Sequence, residues 1–244
     1  MIGTLINVAA ILVGSAAGIF LGSRLSDKLK QTVVSGVGLF TIALGISMFL
    51  ETKNSLIVLG SMLVGAILGE WWRIEEGLHA LGAWLESRFN RSNARNMNST
   101  SQERFIRGFL TASLVFMVGP LAILGSIQDG LSGDYRLLAV KSVLDGFTSL
   151  AFASSLGLGV AFSALPTLVY QGAITLLAVQ VQSVTNEAMM TEMTATGGVL
   201  LLAIAVSSLL ELKKIRSSNF LPALLIAPLV VWVLNILGVR MTLP

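Results

Sequence analysis

One long apolar stretch of the chain, residues 137–159, carries a lysine and an aspartate among aliphatic side chains. On an α-helix, four of its polar residues share one face, at spacings of i, i+4, i+7 and i+8: Lys141, Asp145, Thr148 and Ser149. An uncompensated charge near the middle of a membrane span costs about 2.5–3.5 kcal/mol on insertion scales. We therefore expect a use for this face: Asp145 binds an ion, a proton or a small polar solute, and Lys141 is its counter-ion when the site is empty.

Two neighbouring apolar stretches carry helix-breaking or polar residues of their own. Residues 105–127 are interrupted at Gly119 and Pro120, and residues 160–181 contain Pro166 and Gln171. A broken span frees backbone dipoles that can face a solute at membrane depth. The predicted pathway therefore lies between the fourth, fifth and sixth spans and comprises Asp145, Lys141, Thr148, Ser149, Gln171, Gly119, Pro120, Ser126 and Asp129.

The composition places the chain in a membrane. Of its 244 residues, 54% are hydrophobic and 12% are charged, whereas soluble domains are about 25% charged. Long apolar segments recur from end to end, which predicts an all-α, polytopic transmembrane bundle. The chain has no cysteine, so disulfides, thiol catalysis and thiolate metal sites are excluded.

The apolar segments predict about eight spans in a single integral membrane domain, residues 1–244. The fifth and sixth segments are joined by a short Gly-x-Gly turn, and the alternative to two full spans is a re-entrant pair. Residues 73–91 have helical apolar spacing opposed by Glu75, Glu76, Glu86 and Arg88, which predicts an amphipathic helix on the membrane surface. Residues 92–103 form a predicted polar cytoplasmic loop. The eight predicted spans are 5–21, 31–50, 55–72, 105–127, 137–155, 160–181, 195–210 and 220–239.

The loop charges predict an orientation. With eight crossings, twelve of the 16 basic residues fall in loops on one side of the membrane. The positive-inside rule makes that side cytoplasmic and places both termini outside the cytoplasm. Because the basic residues lie in short loops, we read them as topology signals and expect no nucleic-acid partner.

An internal repeat is a further hypothesis. Residues 37–53 align without gaps onto residues 197–213, with identities that include Gly38 with Gly198 and Glu51 with Glu211. In the eight-span scheme these segments cross in opposite directions, so spans 1–3 and 6–8 would form an inverted repeat. Chance similarity between apolar helices is the alternative.

The motifs of several enzyme classes are missing from the sequence. It has no HExxH zinc motif, no GxSxG elbow and no phosphate-binding P-loop. We therefore expect no enzymatic activity, no cofactor and no metal centre. The leading hypothesis is a transporter or channel whose partners are the lipid bilayer and a small ion or solute, and homo-oligomerisation is left open.

Two alternatives to transport stay open. In one, the Lys141–Asp145 pair only fastens helices, with Lys141 reaching toward the membrane interface. In the other, the protein is a non-transporting scaffold or sensor that binds anionic lipid or a partner through its surface helix and basic loops.

Three blocks of sequence carry a resemblance to a known family. GPLAILGSIQDGLSGD, KSVLDGFTSLAFASSLGLGVAFSALP and NFLPALLIAP resemble signature blocks of the YdfK/YqgA-like family of bacterial membrane proteins. The similarity covers nearly the whole chain, and the first two blocks are specific. The resemblance implies a bacterial inner-membrane protein with several spans, and it implies no particular substrate.

Overall fold

The structure is a computed structural model that describes residues 1–89 and 99–238. Every regular element in these ranges is helical. The α-helices are α1 (Ile2–Gly22), α2 (Asp27–Phe49), α3 (Ser55–Trp71), α4 (Ile74–Phe89), α5 (Ser99–Met117), α6 (Pro120–Ser132), α7 (Arg136–Leu156), α8 (Gly159–Phe162), α9 (Ala164–Leu176), α10 (Ala178–Val184), α11 (Glu187–Ile204) and α12 (Ala223–Ile236). A π-helical turn, Ala205–Leu209, extends α11, and a 3₁₀ turn, Ser217–Phe220, precedes α12.

The predicted polytopic helical bundle is confirmed. Six helices in the described ranges are long and apolar enough to cross a membrane, and the number rises to eight if each of two broken helix pairs is one span. One broken pair is α5 and α6, which meet at 62°. The break falls at Gly119, whose φ of +123° favours glycine, so the predicted interruption of the fourth span is present.

The chain forms two compact units that alternate along the sequence. The first comprises residues 1–37, 76–117 and 121–179, and the second comprises residues 38–75, 118–120 and 180–244. The first unit contains α1, α5, α7, α8 and α9, which include the fifth and sixth predicted spans. It is therefore the unit that holds most of the predicted pathway.

In the first unit, α1 and α7 pack closely along their whole length. A Cβ atom added to Gly14, Gly18 or Gly22 would lie 2.2–2.3 Å from a backbone carbonyl oxygen of α7. The carbonyls belong to Gly146, Leu150 and Ser154 in that order, so the two helices run parallel. Small residues at four-residue spacing permit this close backbone approach, as the GxxxG match at Gly14 and Gly18 predicts.

In the second unit, α3 packs antiparallel to α12. Gly65 lies against Ala223, and Gly69 lies against the backbone of Asn219. The buried carboxylate of Glu192 in α11 accepts hydrogen bonds from the Thr52 hydroxyl and from the backbone N–H of Lys53. These bonds hold the turn between α2 and α3.

The two segments of the proposed repeat meet within the second unit. A Cβ atom on Gly198 would lie 2.5 Å from the carbonyl oxygen of Gly45, and Gly38 lies against Leu209 and Leu210. The segments therefore run antiparallel, which an inverted repeat requires. Equivalence of spans 1–3 and 6–8 as whole groups stays a prediction.

Three boundaries differ from those expected from sequence. Residues 128–136 were expected to form a loop, but α6 continues to Ser132 and includes Asp129. Residues 182–194 were also expected to be a loop, yet α11 begins at Glu187, where the Asn186 side chain caps it by accepting from the Met189 N–H. The polar loop at 92–103 is shorter than expected, since α5 begins at Ser99; its residues 92–98 lie outside the described residues.

The amphipathic helix predicted at 73–91 corresponds to α4. Leu85 is buried against Phe105, Ile106 and Phe109 of α5, so one face of α4 packs on protein. Glu86, expected on the polar face, is only 2% exposed. The expectation for Glu86 is wrong because α5 covers the part of α4 next to Leu85. The position of α4 at a membrane surface stays a prediction.

Candidate ion or solute site

The charged pair predicted from sequence is buried inside the first unit. Asp145 is 7% exposed and Lys141 is 5% exposed. The Lys141 ammonium donates a hydrogen bond to Oδ2 of Asp145 and forms an ion pair with it. Lys141 Nζ also lies 5.9 Å from the centre of the Phe116 ring, which α5 contributes. The fourth and fifth predicted spans therefore both contribute to this site.

Two amide side chains complete the network around the pair. Nδ2 of Asn7 in α1 donates to Oδ2 of Asp145 over 2.9 Å and to Oε1 of Gln171 over 3.3 Å. Asn7 and Gln171 are both fully buried. One asparagine thus joins α1 to α7 and to α9. We call Asn7, Lys141, Asp145 and Gln171 the polar cluster.

The opposite face of α7 is apolar and exposed. Between 54% and 72% of the surface of each of its large side chains is accessible: Val140, Val143, Leu144 and Phe147. In a membrane protein such a face contacts lipid. The predicted division of α7 into a polar inner face and an apolar outer face is therefore present.

Three hydroxyl groups on the same three helices are buried without a partner. Ser15 in α1, Ser149 in α7 and Thr167 in α9 are 0% exposed, and their hydroxyl oxygens have no hydrogen-bond partner among the described residues. We call them the free hydroxyls. Buried serines elsewhere in this unit differ, because Ser142 donates to the Leu138 carbonyl and Ser126 donates to the Ala122 carbonyl. Serine hydroxyls in helices commonly donate to the backbone carbonyl four residues earlier. The free hydroxyls make no such bond.

The helix spacing places the free hydroxyls next to the polar cluster. Ser149 follows Asp145 by one turn on α7, and Thr167 precedes Gln171 by one turn on α9. Ser15 lies in the part of α1, residues 14–18, that packs against residues 146–150 of α7. Ser15 and Ser149 therefore lie at the same level of the α1–α7 interface.

A cavity of about 340 Å³ lies beyond the free hydroxyls at the carboxyl ends of α1 and α7. Ile19 and Ala153 line it, and each is one helical turn beyond Ser15 or Ser149. Its lining also includes three charged residues, Lys30, Glu86 and Arg104. On α7, Ser149 therefore lies one helical turn from the cavity lining and one turn from Asp145.

Asp129 lies at the other end of α1. Its Oδ2 atom is 3.0 Å from the Met1 amino nitrogen and accepts a 3.0 Å hydrogen bond from the Gly3 N–H. Its Oδ1 atom is buried without a partner. Thr4, one residue further along, is 3.4 Å from the Thr175 hydroxyl of α9. Asp129 was predicted as a pathway residue, and the structure gives it a place at the amino end of α1.

The remaining predicted residues are less central. Thr148 is half-buried beside Ser149. Ser126 is buried, but its hydroxyl is satisfied within α6. Gly119 and Pro120 form the break between α5 and α6 and belong to the second unit.

Asp134, which precedes α7, has a local role. Its carboxylate accepts hydrogen bonds from the Arg136 side chain, with distances of 2.6–3.1 Å. These bonds, the Arg136 backbone N–H and the charge of Arg136 lower the pKa of Asp134 to about 2. Arg136 is exposed and Asp134 is partly exposed, and the pair is a turn-stabilising contact at the surface.

Comparison with known proteins decides the family. A family described as "Protein of unknown function (DUF554)" matches residues 2–232. The chain belongs to this family. It is 33% identical over 244 residues to "Uncharacterized membrane protein YdfK" of Bacillus subtilis (strain 168), a match that covers 98% of this chain and all of that protein. It is 31% identical over 227 residues to "Uncharacterized protein YqgA" of Escherichia coli (strain K12), covering 93% of this chain and 94% of that protein. No solved structure gives a significant match.

Membership in the DUF554 family agrees with the resemblance seen in the sequence blocks. The printed name of the Bacillus relative describes a membrane protein, which agrees with the six to eight candidate spans. The chain is an integral membrane protein with several spans. What the polar cluster does has to be argued from its own geometry.

The sequence predicts that Asn7, the lone polar group of its apolar segment, makes an interhelical hydrogen bond, and its bonds to Asp145 and Gln171 confirm this. Three residues of the site region were not predicted as site residues: Thr4, Ser15 and Thr167. A signal was present, because polar residues recur every four positions in residues 163–175: Ser163, Thr167, Gln171 and Thr175. That spacing places them on one helix face, but the sequence does not predict which helix packs against that face.

Proposed function

We propose that this protein moves a small ion or polar solute across the bacterial inner membrane through the interior of the first unit. Asp145 is the binding group, and Lys141 is its counter-ion when no solute is bound. The observation that carries the proposal is the buried Lys141–Asp145 pair with free hydroxyls beside it in otherwise apolar spans. Buried charges in membrane helices are costly and are commonly retained for transport.

The free hydroxyls distinguish this proposal from a purely structural pair. A pair that only fastens helices needs nothing beyond its own hydrogen bonds. Buried polar groups in proteins are nearly always satisfied, and each one left without a partner costs about 1–3 kcal/mol. Ser15, Ser149 and Thr167 carry this cost together on adjoining helices, which supports a site that a hydrated or polar solute occupies.

The cavity at the carboxyl ends of α1 and α7 supports a route of access. From Ala153 in its lining, Ser149 and Asp145 follow at four-residue intervals along α7. Eight residues of helix correspond to about 12 Å. With both termini outside the cytoplasm, as the loop charges predict, this cavity opens toward the cytoplasm and the polar cluster lies in the outer half of the span.

A flux assay tests the proposal. Purified protein in liposomes should move at least one member of a panel of H⁺, Na⁺, K⁺, Ca²⁺, chloride and phosphate faster than protein-free liposomes. Asp145→Asn keeps the shape of the side chain and removes the charge, so it should fold and lose that flux. Asp134→Asn, which changes a partly exposed acid outside the spans, is the matched control and should keep the flux. Full flux from well-folded Asp145→Asn protein would overturn the proposal.

A double substitution separates transport from helix fastening. Removing one partner of a buried ion pair typically costs 3–5 kcal/mol, whereas replacing both by apolar residues is often neutral. If the pair only fastens helices, either single change should therefore lose folded protein. Lys141→Met combined with Asp145→Leu should then restore the folded protein and behave as wild type in every assay. The proposal instead predicts a folded protein without flux.

The runner-up function is a scaffold or sensor that binds anionic lipid or a partner through α4 and the basic loops. Exposed aromatic residues support it, since Trp71, Trp72 and Trp84 are 59–76% exposed. Tryptophan at such positions is typical of membrane interfaces. Neither candidate function includes a catalysed reaction. Lipid-vesicle binding without flux of any panel member would favour the scaffold.

A further inference from the structure

We propose that the species bound at Asp145 is a hard monovalent cation, tested here as Na⁺, and that it competes with the Lys141 ammonium for the carboxylate. The inference rests on the proposed function, since it names the substrate class of the same site. It follows from the chemistry of the unpartnered atoms around Asp145, from the number of carboxylates, and from the position of Lys141.

The unpartnered acceptors around Asp145 are all oxygens. They are the hydroxyls of Ser15, Ser149 and Thr167 and the Oδ1 atom of Asn7. Asn7 Oδ1 belongs to the same amide whose Nδ2 is 2.9 Å from Asp145, and Ser149 is one turn from Asp145 on the same face of α7. Carboxylate, amide and hydroxyl oxygens are ligands for hard cations. Nε2 of Gln171, which is also without a partner and can only donate, cannot ligate a cation and is left for water.

The carboxylate count favours a single positive charge. Asp145 is the one carboxylate of the polar cluster. Within residues 1–89 and 99–238, no group of three or more histidine, cysteine, aspartate or glutamate residues is arranged to hold a metal ion. Calcium sites generally use several carboxylates. One carboxylate surrounded by neutral oxygens neutralises the charge of a monovalent cation. A divalent cation at the same site would keep one uncompensated positive charge.

Lys141 must leave Asp145 for such an ion to bind. Its ammonium already neutralises the carboxylate, and a second cation at Asp145 would leave two positive charges beside one negative charge in a buried site. The bound cation and the Lys141 ammonium would both contact the same carboxylate, and like charges that close together repel strongly when water is excluded. Cation binding and the Lys141–Asp145 ion pair are therefore alternatives, and Lys141 reduces the apparent affinity by the fraction of time that it occupies the carboxylate.

Equilibrium binding of ²²Na⁺ to the purified full-length protein in detergent tests the inference. Wild type should bind Na⁺ saturably, and choline should not displace it. Ser149→Ala should weaken Na⁺ binding about tenfold, the usual scale for losing one polar contact to a charge. Ser142→Ala is the matched control, because Ser142 is equally buried on α7 but its hydroxyl is satisfied by Leu138; it should bind Na⁺ as wild type does.

The competition has its own variants. Lys141→Met removes the competing ammonium and should tighten Na⁺ binding at least about tenfold. Lys141→Arg keeps the charge and pairs more firmly with a carboxylate, so it should weaken binding. The second variant preserves the test if Lys141→Met does not fold. If the variant that folds binds Na⁺ with the same affinity as wild type, the proposed competition between Na⁺ and Lys141 is overturned.

The failures of this inference and of the proposed function are distinguishable. Flux of Ca²⁺, chloride or phosphate that depends on Asp145, with no saturable Na⁺ binding, would overturn the monovalent-cation class and leave transport standing. Equal Na⁺ affinity in Ser149→Ala and Ser142→Ala would overturn the hydroxyl as a ligand. Absence of both Na⁺ binding and flux of any panel member would overturn both proposals.

Discussion

Asn7 and Asp145 lie 138 residues apart in the chain, and the Asn7 amide donates a 2.9 Å hydrogen bond to the Asp145 carboxylate inside the first unit. The bond joins two helices that also approach each other closely at Gly14 and Gly146. Close packing brings the amide within reach, and the bond stabilises a carboxylate that would otherwise depend on Lys141 alone. Packing and site chemistry are therefore coupled at one helix interface.

Loss of the Asn7 amide should destabilise the protein. Asn7→Leu keeps the branched shape of the side chain and removes the amide that donates to the buried carboxylate and to Gln171. Hydrogen bonds to charged groups contribute about 1.5–3 kcal/mol, so the midpoint of thermal unfolding in detergent should fall. Asn235→Leu, at an exposed position of α12, is the control and should change the midpoint little. Equal midpoints for the two variants would contradict the role of Asn7.

The close approach of α1 and α7 should tolerate no side chain at Gly14. A Cβ atom there would lie 2.2 Å from the Gly146 carbonyl oxygen, whereas one at Gly60 in α3 meets nothing within 4 Å. Gly14→Leu should therefore separate the helices and abolish monodisperse protein in size-exclusion chromatography. Gly60→Leu should elute as wild type. A monodisperse, thermally unchanged Gly14→Leu protein would contradict the packing described for α1.

Two leucines of α4 should respond differently to a charge. Leu78 packs against the cluster formed by Leu85 and α5, while Leu81 is 44% exposed. Leu78→Glu buries a charge without a partner and should reduce the yield of folded protein severalfold. Leu81→Glu should leave the fold intact and weaken contact with the bilayer, read out as faster protease cleavage after residue 89. Similar yields of the two variants would contradict this placement of α4.

The eight-span topology predicts opposite sides for two labelled positions. Asn98, which lies outside the described residues, precedes α5 and belongs to the stretch richest in basic residues, so it should be cytoplasmic. Ser132 ends α6 and should face outward. Single cysteines at these positions, in a chain that has none of its own, should react from opposite sides with a membrane-impermeant maleimide. Reaction from the same side would rule out α5 and α6 as one broken span.

Much of the fold could be predicted from local sequence. The apolar runs predict the spans, Gly119 and Pro120 predict the break between α5 and α6, and the spacing of Lys141 and Asp145 predicts their shared face. These features depend on residues within a few turns of each other, so helix geometry alone determines them. Asp129 shows the limit of local signals, because its glycine-rich surroundings suggested a turn and the structure has a helix.

Tertiary packing decided which residues join Asp145. The sequence by itself determined a helical membrane protein with a polar face on one span, since hydropathy and helical period are local properties. It did not determine that α1 packs against α7, or that Asn7 bridges Asp145 and the predicted pathway residue Gln171. Contacts between helices depend on which small and polar faces fit together, and these faces are separated by more than a hundred residues of chain. The contacts are therefore known only from the folded structure.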